Sequence, residues 1–146
     1  MKSQKYKSIK ILIGKTKNNK LFWIKKERPV RKLNNGSYGI VYNGSVYRLY
    51  EPNKIFTSDR KYNKLDCIDF VYKSEKLIFD NLFPNEIKIY KNNSLMDYTL
   101  SKRPIRIIFD GLYGVVYQKK VFPLINNKKI DISGASYEKN DCLGFH

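Results

Sequence analysis

The chain has 146 residues, with 29 Lys or Arg against 13 Asp or Glu, a net charge of +16, 42% hydrophobic and 14% aromatic side chains. That apolar and aromatic content is too high for a disordered polyelectrolyte, and two cysteines are too few for a disulfide framework. No run approaches the ~20 apolar residues of a membrane-spanning helix, and the length allows one domain or two small ones.

The first segment, MKSQKYKSIKILIG, begins basic, but its apolar part is only about five residues long and is broken by Lys10, too short for a secretory signal peptide. With so few cysteines, the expected setting is a reducing intracellular compartment, with a virion or an organelle as alternatives. Residues 8–13 (SIKILI) and 21–24 (LFWI) are β-rich and separated by the polar turn GKTKNNK. Within the first 32 residues there are 12 basic side chains and one acid, Glu27.

Residues 26–67 align without a gap to residues 101–142, at a constant offset of 75, with 17 identities in 42 positions. An internal repeat decides architecture before any local reading does. The expected fold is therefore all-β, two tandem pseudo-equivalent repeats packed together, each a small β-barrel or curled sheet. Repeat 1 with its basic N-terminal segment spans 1–74, repeat 2 spans 75–146, and repeats this small are expected to unfold as one cooperative body.

Each copy opens on Arg-Pro-(Val/Ile)-Arg: Arg28, Pro29, Val30, Arg31 and Arg103, Pro104, Ile105, Arg106. The paired arginines read either as a fork for phosphate or carboxylate or as partners for the shared Asp66 and Asp141 inside each repeat. Next comes the clearest hairpin, SYGIVY-NG-SVYRLY. Asn43-Gly44 is the preferred pair for a two-residue type I′ turn. Copy 2 replaces that turn with Gln118-Lys119-Lys120, which predicts a looser loop. Tyr38, Ile40 and Tyr42 should face one way and Val41, with its match Val116, the other. Gly39 and Gly114, shared inside strands, suggest a bend or a close backbone approach. Pro123 in place of Arg48 suggests an edge strand or a bulge. Residues 68–84 read as two strands around Ser74-Glu75, with a helix ending at Pro84 as the alternative.

The shared tyrosines read as strand core, whereas the unshared Tyr47 and Tyr50 are candidates for a protein interface. Cys67 and Cys142 occupy matching positions and read as a small buried slot. A metal site with His146, or a disulfide between the two, is a weaker reading. The chain offers one His, at its last position, and no nucleophile or phosphate-loop motif, so an enzyme is not expected, nor a cofactor or a metal.

The charge is uneven: residues 1–70 carry 17 basic and 5 acidic side chains, residues 71–146 carry 12 and 8. Lys outnumbers Arg 23 to 6, as in an AT-rich genome, but such a bias does not deplete acids, so the excess points to an anionic partner. The candidate nucleic-acid-binding residues are Lys15, Lys17, Lys20, Trp23, Lys25, Lys26, Arg28, Arg31, Lys32 and Arg48. Trp23 stacks on an unpaired base in this reading and belongs to the core in the other. The leading expectation is a non-catalytic protein that grips the phosphate backbone of DNA or RNA through repeat 1. The alternatives are a structural subunit of a large assembly, such as a viral particle or an organellar ribosome, docking on acidic protein or RNA, and a small inhibitor that fills an enzyme's nucleic-acid channel.

Overall fold

A computed structural model describes residues 5–14, 21–24, 26–79, 82, 84–101 and 103–146, without the side chains of 21–23 and 97–99. The protein is all-β and divides into two compact units, Met1–Asp80 and Asn81–His146.

In the first unit the strands are β1 (Ser8–Ile9), β2 (Leu12–Gly14), β3 (Leu21–Trp23), β4 (Arg28–Pro29), β5 (Arg31–Leu33), β6 (Tyr38–Tyr42), β7 (Ser45–Arg48), β8 (Lys54–Phe56), β9 (Lys61–Tyr62) and β10 (Cys67–Phe70). They form a five-stranded sheet in the order β10-β5-β6-β7-β9, a three-stranded sheet β3-β2-β8 and the pair β1-β4. Strand β6 alternates as its sequence implies. Ile40 is buried in one core with Ile11, Ile13, Tyr47 and Ile55, and Tyr38 and Tyr42 pack against it. Val41 packs on the other face, against Leu33, Val46 and Tyr62. Strand β6 is thus covered on both sides, which is why the hairpin reads as apolar on both faces. Residues 68–84 only half follow the two-strand expectation: Cys67–Phe70 is a strand, but Lys76–Phe79 has no regular structure. The amide of Ile78 there donates to the Tyr38 hydroxyl at 2.9 Å, so this segment closes on a side chain rather than on a neighbouring strand.

In the second unit the strands are β11 (Glu86–Lys91), β12 (Ser94–Ser101), β13 (Arg106–Phe109), β14 (Leu112–Tyr117), β15 (Lys120–Pro123), β16 (Lys129–Asp131) and β17 (Gly144–Phe145). They form the sheets β15-β14-β13-β17 and β12-β11-β16. Strand β15 lies at a sheet edge, as Pro123 suggested. One core gathers Ile87, Ile89, Ile105, Val115, Phe122 and Ile130; a smaller one on the other face of β14 holds Ile108, Val121 and Cys142, with Val116 and Tyr137 against it. Among the described residues no sheet of either unit closes into a barrel, which corrects that half of the expected fold: each unit is built from separate open sheets.

The pairings run in parallel along the chain. Gly39 faces Arg48 and Gly114 faces Pro123. Strand β2 pairs parallel with β8, and β11 parallel with β16. The Tyr50 amide donates to the Lys54 carbonyl and the Ile125 amide to that of Lys129. Gly39 and Gly114 sit where a side chain does not fit: a Cβ on Gly39 would lie 2.6 Å from Val46 Cγ1, and one on Gly114 2.8 Å from the Phe122 carbonyl oxygen.

The Asn43-Gly44 turn has both residues at positive φ (49° and 80°), with Tyr42 facing Ser45. The loop of the second hairpin is not looser. Tyr117 faces Lys120, and Gln118 and Lys119 take φ of 49° and 68°. The strands therefore impose a two-residue turn on side chains that disfavour it. Replacing Lys119→Gly should stabilise the protein by about 1 kcal/mol, the left-handed strain less glycine's entropy; urea unfolding measures it, and no gain would mean the strands do not dictate the turn.

A second device ties the turns of this unit. The Asp131 carboxylate accepts from the amides of Asn93 and Ser133, each at 3.0 Å, and from the Ser133 hydroxyl. Led by the Ser133 hydroxyl, these donors hold its pKa down to about 2, against an ordinary 3.8. A depressed folded-state pKa stabilises above the unfolded value and loses that contribution as pH falls through the folded one. The stability gap between the wild type and Asp131→Ala should therefore be full above pH 3.8 and close as pH falls through about 2, read by denaturant melts across that window.

Candidate anion-binding face

Strands β5, β6 and β7 place Arg31 opposite Gly39 and Gly39 opposite Arg48. Directly paired residues share a sheet face, so the two arginines flank a glycine, with Cα atoms about 10 Å apart by strand spacing. Phe70 on β10 faces Arg31 from the other side. The Arg31 guanidinium lies over the Phe70 ring at 4.6 Å, that of Arg48 over Tyr50 at 5.7 Å, and that of Arg60, just before β9, over Tyr62 at 4.8 Å. Three arginines of this unit each lean on an aromatic ring, and the strand pairings set Arg31 and Arg48 on one face of the sheet. Stacking on a ring holds a guanidinium in a fixed plane, the geometry that suits phosphate or carboxylate oxygens, and the Nε of Arg31 is buried. The second unit keeps one of the three: Arg106 lies over Phe145 at 4.6 Å, while Pro123 and Ala135 stand 75 positions beyond Arg48 and Arg60.

The expected set is only partly gathered here. Arg31 and Arg48 are on this face. Lys32, the next residue on β5, turns to the opposite face and is bound to Glu75, Nζ to Oε2 2.9 Å; the hydrogen bond to Glu75 holds its pKa up. Arg28 belongs to β4, opposite Ile9, with its Nε buried. Lys26 is exposed ahead of that strand. Lys15, Lys17, Lys20 and Lys25 lie outside the described residues, as does the side chain of Trp23, whose backbone pairs with Leu12 in β3. Arg60 was not in the set. Its signal was present in the repeat: like Arg48, it is a basic residue that the other copy drops.

The interface expectation for Tyr47 and Tyr50 is overturned. Both are buried. Tyr47 lies in the main core of its unit and Phe122, 75 positions on, in that of the second, so the two copies differ by a hydroxyl and not by a role. Tyr50 donates its hydroxyl to Asp59 Oδ2 at 2.7 Å, and Asp59 also accepts from the Arg60 amide at 2.8 Å. Likewise the shared Asp66 is not the partner of Arg31: it accepts from the Asn63 amide at 3.0 Å and closes that short turn. Cys67 packs against the small core of the first unit and Cys142 lies within that of the second, both as free thiols; burial pushes the Cys142 thiol's pKa up. Among the described residues no group of three or more His, Cys, Asp or Glu is placed to hold a metal ion, and no helix is long and apolar enough to cross a membrane.

No family model, curated protein or solved structure matches the chain. The residues and their geometry carry the functional argument.

Removing the Tyr50 hydroxyl leaves the buried Asp59 short of a charged hydrogen bond. Tyr50→Phe should cost about 2 kcal/mol in thermal or urea unfolding, whereas a surface interface residue would cost nothing.

Proposed function

We propose that the chain is a non-catalytic nucleic-acid-binding protein that holds the phosphate backbone through its first unit, built on a duplicated sheet module of which one copy became strongly cationic. The matching strand pairings and registers of the two units, 75 or 76 positions apart, support the duplication. The first unit carries 19 basic and 7 acidic side chains, net +12; the second carries 10 and 6, net +4. The observation that carries the reading is the row of Arg31, Arg48 and Arg60 on aromatic rings, two of which have no counterpart in the second unit. Arginines held in this way bind backbone oxyanions without reading bases.

One observation favours a structural subunit of a larger assembly as the second reading. Leu65 is 95% exposed and Ile68 69% exposed, beside the outer edge of β10, which pairs on one side with β5. An apolar pair next to an open strand edge suits protein docking.

Salt titrations of binding to generic DNA and RNA separate the two. Phosphate gripping predicts affinity that falls linearly with log salt, and Arg48→Gln with Arg60→Gln should flatten the slope by about 0.9 per contact on duplex DNA. Lys32→Gln, on the opposite face, should leave the slope unchanged. Absent or salt-independent binding would sink the nucleic-acid reading and favour the assembly one.

A further inference from the structure

The second unit carries a groove of about 500 Å³ on the outer face of its three-stranded sheet, lined in part by Glu86, Lys88, Tyr90, Ile125, Lys128 and Lys129. Along β11 the residues alternate, with Ile87 and Ile89 in the core, so Lys88 and Tyr90 face outward. The parallel register sets Lys88 directly opposite Lys129, and the Lys88 amide donates to the Lys128 carbonyl at 2.9 Å. Like charges directly opposite on a sheet are destabilising. Three lysines against one lining carboxylate, Glu86, leave a net positive groove. The Lys129 ammonium lies 4.8 Å from the centre of the Tyr90 ring, which gives that ring a cation to exchange for a flat ligand.

The same face of the first unit is closed. Leu12 pairs with Lys54 where Lys88 pairs with Lys129. Gly14 stands in place of Tyr90: the Thr57 amide donates to its carbonyl as the Ile132 amide donates to that of Tyr90. Tyr50 and Phe56 meet edge to face at 5.6 Å and are both buried, whereas Ile125, matching Tyr50, is 40% exposed and lines the groove. One framework therefore carries a filled apolar face in one unit and an open cationic cleft with an aromatic wall in the other.

We infer that this groove binds a nucleotide, its phosphate on Lys88 and Lys128 and its base against the Tyr90 ring. Stacking on tyrosine takes any base, and lysine binds phosphate as a point charge. The inference is drawn from residues of the second unit alone and does not depend on the arginines of the first.

The test is a titration of the full chain with AMP and, separately, with inorganic phosphate, read from backbone amide shifts. AMP should move the amides of Lys88, Tyr90, Lys128 and Lys129, and bind about tenfold or more tightly than phosphate. Tyr90→Leu should bring AMP down to the phosphate level; Lys88→Gln with Lys128→Gln should weaken both ligands. Both positions of the double variant are exposed, and its amide spectrum reports an intact fold. Unmoved groove amides at high AMP, equal affinity for AMP and phosphate, or unchanged AMP binding in Tyr90→Leu would each overturn the inference. Polymer binding lost on Arg48 and Arg60 substitution while AMP still binds, or the reverse, tells the two sites apart.

Discussion

Each unit hangs on one strand that is packed on both faces, and the constraint sits at its glycine. Gly39 lies between Leu33 and Val46, and Gly114 lies against Ile108, Val121 and the Phe122 carbonyl. A methyl group at either position would meet atoms closer than 3 Å, and a core packed at crystal density has little room to yield. The close approach lets the strand on each side lie flat against the central one while two separate cores form above and below it. The strands on either side pair directly with that sandwiched strand, and the short parallel pair, in a separate sheet, meets it through the shared core.

This explains what was legible in the chain. The alternation of Tyr38, Ile40 and Val41, the Asn43-Gly44 turn and the glycine inside the strand are local signals, and local signals report the geometry nearest to them. The turn at Gln118-Lys119 departs from the propensity of its own residues. There the strand register is set by burial, which a one-residue slip would invert, and the turn follows at some conformational cost. Tyr47 and Tyr50 are buried for reasons equally absent from the local pattern. A difference between two copies marks freedom to vary, but Tyr47 against Phe122 is a core position indifferent to a hydroxyl. Tyr50 is polar because its hydroxyl must reach Asp59, a partner nine residues away that no periodicity reveals. Lys32 belongs to the cationic cluster in sequence and leaves it in space, because neighbours on a strand point to opposite faces.

Arginine and lysine are used differently in the two units, and the difference is chemical. On the first unit the guanidinium groups of Arg31, Arg48 and Arg60 are laid on rings, which limits their rotamers. Little side-chain freedom then remains to be lost when an oxyanion arrives. On the second unit the cations of the groove are lysines, which are strongly hydrated point charges on flexible stems, with a tyrosine as the aromatic wall. The first arrangement suits a repeating, uniform anion. The second suits a compact ligand whose flat part sets the orientation and whose charge needs only proximity.

The filled face of the first unit and the open groove of the second differ at a group of residues that touch one another in the first unit. Phe56 lies flat over Gly14: a Cβ there would fall 2.3 Å from its ring. A tyrosine at that place, as at Tyr90, is compatible only with a small or polar residue opposite, and the second unit has Asp131. Tyr50 is buried with its hydroxyl on Asp59, and without that carboxylate a buried phenol would lack this acceptor. The second unit has Gly134 where Asp59 stands and an aliphatic Ile125 where Tyr50 stands. Released from covering the face, Asp131 turns to the amides of Asn93 and Ser133 and fastens the turns beside the groove. Four positions thus differ together between the units, and in the first they form one chain of contacts: Gly14 under Phe56, Phe56 against Tyr50, and Tyr50 on Asp59.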